Sequence, residues 1–202
     1  MRPPSELAAV LPTLPRLTMQ AHGYRIIAAQ YLQAMSGLHP VRFFYGLGAT
    51  KEGQRFTPKG GMPTIYLADT LETAFAEANP VQAIVRAVDP ALAPPTPPGA
   101  YAAIRYHLDS VLDVTDPDVQ AALGTDRAEL MASWRTASSR GQVTPTQQLG
   151  QAAFDSGLVQ ALWYESVRAP GAFCLAVFPD RLIDPAFLEV YDPTNRLQER
   201  LP

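Results

Sequence analysis

GQRFTPKGGMPTIYLADTLETAFAEA, residues 53–78, passes from a turn through a short apolar segment into an alanine-rich one. Gly53, Pro58, Gly60, Gly61 and Pro63 punctuate the first part as loop, because proline presets φ and glycine accepts conformations that other residues avoid. TIYLA, 64–68, then has the composition of a strand. Asp69 followed by Glu72 has the form of a capping box, so a helix is expected to begin there and run to about 78, before Pro80. Glu77 falls near the C-terminal end of that helix, among Ala74, Phe75, Ala76 and Ala78. The negative end of a helix dipole disfavours a carboxylate by some tenths of a kcal/mol, and no cation stands beside it in sequence. Local structure gives this glutamate no reason to be there.

Outward from this window, Ser5 reads as the cap of a short helix over 6–11 that Pro12 stops, and LTMQAHGYRIIAAQYLQ fits either strand or helix, with a strand over 24–28 favoured. Residues 38–63 read mostly as loop and turn, and loops of that length tend to carry function. Downstream, VQAIVRAV (81–88) alternates well enough for a strand, and DPALAPPTPPGA (89–100) is a rigid proline-rich connector. AIRYHLDSVLDVTD (103–116) is extended. Asp116 with Pro117 starts a helix that Gly124 ends, a further helix covers 126–138, and Thr144 with Pro145 starts one over 145–155 that stops before Gly157. Strands follow within ALWYESV, AFCLAVF and FLEVYD. With strands at both ends, helices clustered in the middle and no internal repeat, the expected fold is a single α+β domain with a mixed or largely antiparallel sheet. The domain is assigned to 21–202, with 1–20 as an N-terminal extension.

Composition narrows the function. The chain has 202 residues, 47% of them hydrophobic and 17% charged, and a formal net charge of -3, which gives no broad cationic face for a nucleic-acid backbone. Pro12 and Pro15 interrupt any signal-like apolar run, and no segment is long enough to span a bilayer, so a cytoplasmic location is expected. Cys174, the single cysteine, sits in an apolar run and reads as a buried structural thiol. His22, His39 and His107 are scattered without metal-ligand spacing, so no metal is assigned. There is no phosphate-binding P-loop, GLGATKEG lacks the dinucleotide-binding glycine spacing, and Ser166 in YESVR does not sit in a nucleophile elbow.

The polar residues left are Tyr24, Arg25, Arg55, Tyr66, Glu77, and Ser166 with Arg168. They fall in GYRII, in GQRFTPKGGMPTIYLADTLETAFAE and in YESVRAPGAFCLAVFPDRL, which together resemble the RES-domain family, named for its arginine, glutamate and serine. The resemblance covers roughly 24–182. Arg25 matches the first arginine, Arg55 the second, Tyr66 the strand tyrosine, Glu77 the acid and Ser166 the late serine. Phe56 and Thr57 replace the tryptophan-asparagine pair that is commoner in the family, and Glu165 replaces a proline.

The resemblance implies a fold similar to ADP-ribosyltransferase toxins. It also implies a bacterial toxin that consumes NAD+ as substrate, with no further cofactor, by breaking the nicotinamide-ribose bond, and that is neutralised by a cognate helix-turn-helix antitoxin. It assigns catalysis to Glu77, Arg25 and Ser166, and NAD+ binding to Arg25, Arg55, Tyr66, Tyr24 and Ser166. Glu77 would then steady an oxocarbenium-like ribose, and Arg25 and Arg55 would fork onto the pyrophosphate. Water, inorganic phosphate or a protein side chain remain open as acceptor, the last making the protein a mono-ADP-ribosyltransferase. An inactive nucleotide-binding module and self-association are also left open.

Overall fold

The computed structural model describes residues 1–28, 44, 46–95, 99–192 and 197–202. Helix α1 (Pro4–Val10) and a 3-10 turn (Leu11–Thr13) precede β1 (Leu17–Ala28), and α2 (Leu47–Glu52) precedes β2 (Ile65–Ala68), α3 (Leu71–Ala78) and α4 (Pro80–Val88). Strand β3 (Gly99–Asp113) leads into α5 (Pro117–Leu123), α6 (Arg127–Met131), α7 (Trp134–Ser138) and α8 (Pro145–Asp155). β4 (Ala161–Glu165), β5 (Phe173–Val177), β6 (Phe187–Asp192) and β7 (Leu197–Leu201) complete the order. This is the α+β arrangement expected, with helices gathered in the middle.

The strands run β1-β2-β5-β4-β3-β6-β7, and β1 also pairs with β3, so the first five close into a circuit. β1 and β3 lie antiparallel from Leu17↔Val111 to Ala28↔Gly99, β1 meets β2 at Tyr24↔Ala68, and β3 and β4 are the parallel pair. Alternating side chains divide the core, since successive strand residues point to opposite faces. Tyr66, Leu162, Tyr164, Cys174 and Ala176 face a cluster completed by Leu7, Leu11, Leu123, Leu130 and Leu149 from the helices and turns. Ile65, Leu67, Ala161, Leu175 and Val177 face a second cluster made mostly of strand side chains, with Ile104, Leu108 and Leu188. Residues 1–16 dock onto the first cluster, where Leu7 and Leu11 are fully buried.

Several local expectations hold for the physical reason given. Asp116 accepts from the amides of Asp118 and Val119, Gly124 closes α5 in the left-handed conformation at φ 64°, and Thr144 with Gln147 forms a complete capping box on α8. Others are corrected. Residues 81–88 form α4, not a strand: Pro80 stands at its first position, and Val81, Ile84, Val85 and Val88 keep helical spacing. The cap of α3 is Thr70, whose hydroxyl accepts from Thr73 N, because Asp69 instead accepts from Phe173 N at 2.8 Å. Ser5 does not cap α1, which begins with Pro4 after Pro3. The helix expected over 126–138 divides into α6 and α7, with Ala132 and Ser133 extended between them. The loop read over 38–63 contains α2, and its residues 38–43 and 45, with 96–98 of the expected connector, lie outside the described residues. Strand β7 was not expected. Among the described residues no helix is long and apolar enough to cross a membrane.

Candidate active site

The turn carrying Arg55 is held from three directions. Gln54 and Thr57 exchange backbone hydrogen bonds, and Gln147 at the start of α8 gives its amide Nε2 to the carbonyls of both, at 3.0 and 3.3 Å. One helical turn on, Gly150 permits the approach: a Cβ there would lie 1.9 Å from the Phe56 carbonyl oxygen. The Phe56 ring is fully buried and meets Tyr164 edge-on at 4.9 Å. A hydroxyl relay fastens the turn to β2. Phe56 N donates to the Tyr66 oxygen at 3.1 Å, and Tyr66 and Thr57 Oγ1 lie 2.9 Å apart. Thr57 in turn donates to Thr64 at 2.8 Å, which leaves its oxygen to accept from Tyr66. Burial first, eased by the bond to Thr57, pushes the Tyr66 hydroxyl up to about 12, so it stays protonated.

Arg55 is 8% exposed, and its Nη1 donates to the carbonyls of Leu130 at 2.6 Å and Ala132 at 3.3 Å. Those carbonyls lie at the C-terminal end of α6, the favourable end for a cation. Its Nε and Nη2 make no hydrogen bond among the described residues. Burial lowers the guanidinium's pKa, against the opposing pull of Tyr164, Glu77 and Tyr66. Glu77 therefore has a cation near it, supplied by tertiary structure and absent from its sequence neighbourhood.

Helix α3 buries Thr73 and Ala74, and Glu77 follows on the same face a turn later. Ser166, fully buried just after β4, donates its hydroxyl to Glu77 Oε1 at 2.6 Å. The serine oxygen accepts from the amides of Arg168 and Ala169, each at 3.1 Å. One donor and two acceptor sites are the whole capacity of a hydroxyl. The two amides consequently fix the direction of the proton, and Ser166 orients the carboxylate. Glu77 Oε2 has no hydrogen-bond partner among the described residues.

Of the seven residues singled out in sequence, Glu77 and Ser166 are in direct contact, Arg168 gives its amide to the Ser166 oxygen, Arg55 and Tyr66 belong to the adjoining turn, and Tyr24 packs on the same cluster as Tyr66. Arg25 is placed differently. Its neighbours Tyr24 and Ile26 face the first cluster and Ile27 the second, so Arg25 points away from Tyr24. Desolvation lowers its pKa to about 10 against the pull of Glu199, and its buried Nη1 has no partner among the described residues. Cys174 is 2% exposed, its thiol pushed to about 12 by burial. No metal-holding cluster occurs among the described residues.

Two further residues, Tyr164 and Arg135, belong here beside Arg168. Tyr164 lies within electrostatic reach of Glu77 and Arg55, and its place on β4 two residues before Ser166 was the available signal. Arg168 was visible as the cation beside Ser166. Arg135, on α7, has no local signal, because only the folded chain brings it into the field of Glu77, Arg55 and Arg168. Glu165, standing where the family more often has proline, binds Arg127 through two contacts of 2.7 Å and so ties β4 to α6. A pocket of about 40 Å³ behind Phe56 and Tyr164 is too small for a dinucleotide.

No curated protein matches the chain. Among solved structures, it is similar to a chain in the crystal structure of the M. tuberculosis MbcT-MbcA toxin-antitoxin complex. The TM-score is 0.60 and the identity 18%, over 93% of this chain and 90% of that one, a likeness of fold. The RES domain matches residues 23–198, a span that takes in Arg25, Arg55, Glu77, Ser166 and all seven strands except the start of β1 and the end of β7, and the chain belongs to the RES domain family.

Proposed function

We propose that this protein is a RES toxin that depletes NAD+ by cleaving the bond between nicotinamide and ribose. The observation that carries the reading is the hydrogen bond from Ser166 to Glu77 Oε1, which leaves Oε2 directed by a fixed partner and open to a ligand. Breaking an N-glycosidic bond to a cationic leaving group makes the ribose oxocarbenium-like, and a carboxylate already oriented stabilises that charge without reorganising. Arg55 offers Nε and Nη2 to the phosphates, whereas Arg25, on the opposite face of β1 with its Nη1 buried, is not placed to share that ligand without a rearrangement. Tyr24 and Tyr66 offer rings for the cationic nicotinamide. Ser166, its bonding capacity filled, acts through Glu77.

The protein would work in the cytoplasm, with NAD+ as substrate and no added cofactor, on a fold related to ADP-ribosyltransferase toxins. The toxin-antitoxin complex among its structural relatives supports neutralisation by a cognate antitoxin, of helix-turn-helix type if the family pattern holds.

The test is incubation with NAD+. Free nicotinamide should appear without labelled protein, and added phosphate separates hydrolysis from phosphorolysis by the appearance of ADP-ribose-1-phosphate. Glu77→Gln should lower turnover at least about a hundredfold while the protein stays folded. Labelling of a protein target would turn the reading into a mono-ADP-ribosyltransferase, and wild-type turnover in the Gln variant would remove Glu77 from the chemistry.

A further inference from the structure

Arg135 lies outside every motif that carries the family resemblance, yet the fold brings it to the candidate site. Residues 132–138 are fastened beside the Arg55 turn at both ends. Ala132 accepts from Arg55 Nη1 at 3.3 Å, and Ser138 Oγ lies 3.3 Å from the position a Cβ on Gly53 would take. Between those two contacts, Arg135 sits over the Trp134 ring, its guanidinium carbon 4.8 Å from the ring centre. Arg168, Glu77 and Arg55 are the charged groups that face it. Among the described residues its guanidinium makes no salt bridge and no hydrogen bond.

With Arg168, Arg55 and Glu77 all within electrostatic reach of Arg135, three cations, two of them solvent-exposed, accompany one anion, an excess of two positive charges in a chain whose formal net charge is -3. Partial desolvation, with the like charge of Arg168 adding to it, lowers the pKa of the exposed Arg135, and like charges held together in the absence of a ligand repel. A group carrying two negative charges removes both costs. The stacked ring restricts the guanidinium and leaves its N–H edge available for a fork onto phosphate oxygens.

We propose that Arg135 binds the phosphate-bearing half of the substrate, opposite the carboxylate that faces the ribose. This rests on the reading of the site as one for a dinucleotide, and it adds a specificity-determining residue to that site. It divides the work by chemistry: Glu77 meets the sugar as it turns cationic, and Arg135 with Arg55 meets the diphosphate, whose charge does not change during the reaction. Loss of Arg135 should consequently weaken binding and leave the bond-breaking step nearly intact.

Inorganic pyrophosphate titrated into the protein, followed by calorimetry, tests the anion site without requiring turnover. Wild type should bind it, Arg135→Gln should bind about tenfold more weakly, Arg135→Lys should fall between, and Arg200→Gln, on β7 where Arg200 stacks over Phe187 of β6, should match wild type. Circular dichroism confirms that the variants fold, and Arg135→Lys supplies the test if the Gln variant does not. In NAD+ turnover, Arg135→Gln should raise KM about tenfold with kcat within about threefold of wild type. Absence of pyrophosphate binding, or equal binding by wild type and Arg135→Gln, would overturn the proposal. A pyrophosphate effect of the expected size together with no nicotinamide release by wild type would leave the anion site standing and remove NAD+ cleavage.

Discussion

On the helix-covered side of the sheet, Arg55 gives Nη1 to two backbone carbonyls, the turn beneath it is bonded to Gln147 and Tyr66, and nearby Ser166 has no bonding capacity left. On the other side Arg25 is also desolvated and leaves its Nη1 without a partner among the described residues, with Glu199 as its counter-charge. The difference teaches where rigidity is placed. A carboxylate that must face a short-lived cation gains from groups that cannot turn away, so the first side is built as a scaffold. The second side carries a buried donor with no partner among the described residues, a costly feature in a folded protein unless something comes to meet it.

The sharpest way to break the first side is Gly150→Ala. The added methyl would overlap the Phe56 carbonyl, and α8 cannot retreat without pulling Gln147 from the turn. A loss of about 3 kcal/mol is expected, at the upper end for overpacking, together with loss of turnover. Thermal and denaturant unfolding measure it, and a stability equal to wild type would show that α8 and the turn are loosely joined.

Ser166→Ala comes next. It leaves the amides of Arg168 and Ala169 without their acceptor and frees Glu77 to rotate. About 2 kcal/mol of stability should be lost and kcat should fall about tenfold, with KM for NAD+ little changed. A rise in KM alone would instead assign the serine to ligand binding.

How far the sequence could anticipate this arrangement depended on the range of the forces involved. Asp116-Pro117 and Thr144-Pro145 declare helix starts within a few residues, and both were legible because a cap is a local bond. VQAIVRAV satisfies a period of two and a period of 3.6 in so short a window, and Pro80 was the residue that should have decided it. Asp69 looked like a cap until the chain returned with Phe173 to claim its carboxylate. In the site, Glu77 was noticed because its surroundings explained nothing, which is itself a local observation. Its partners come from 89 residues away in the case of Ser166, and from α7 in the case of Arg135, distances over which sequence pattern is silent.

A smaller effect should appear with pH. Cys174 is pushed from an ordinary value near 9 to about 12 by burial beneath the same site. Its raised pKa means that the native state keeps a proton the unfolded chain releases, so the associated stability is present below about pH 9 and is lost as pH rises towards 12. Between pH 8 and pH 10 about 1 kcal/mol should disappear, and Cys174→Ala should reduce that dependence. Equal slopes for the two proteins would mean that the thiol is not the group responsible.

The smallest change in stability is expected on the second side, with Arg25→Met. Removing a desolvated guanidinium that has an unsatisfied nitrogen, and replacing it with an apolar chain of similar length, takes away a cost along with the attraction to Glu199. The two should nearly cancel, leaving unfolding within about 1 kcal/mol of wild type. If a rearrangement brings this buried Nη1 to the substrate, NAD+ turnover should nevertheless fall at least about tenfold, because a charge-assisted contact is lost with nothing to replace it. Unchanged stability with unchanged turnover would make Arg25 a spectator, whereas a large loss of stability would make it the strut of the second side. In either case the contrast between a fixed scaffold and a waiting donor would have to be redrawn around Arg55 alone.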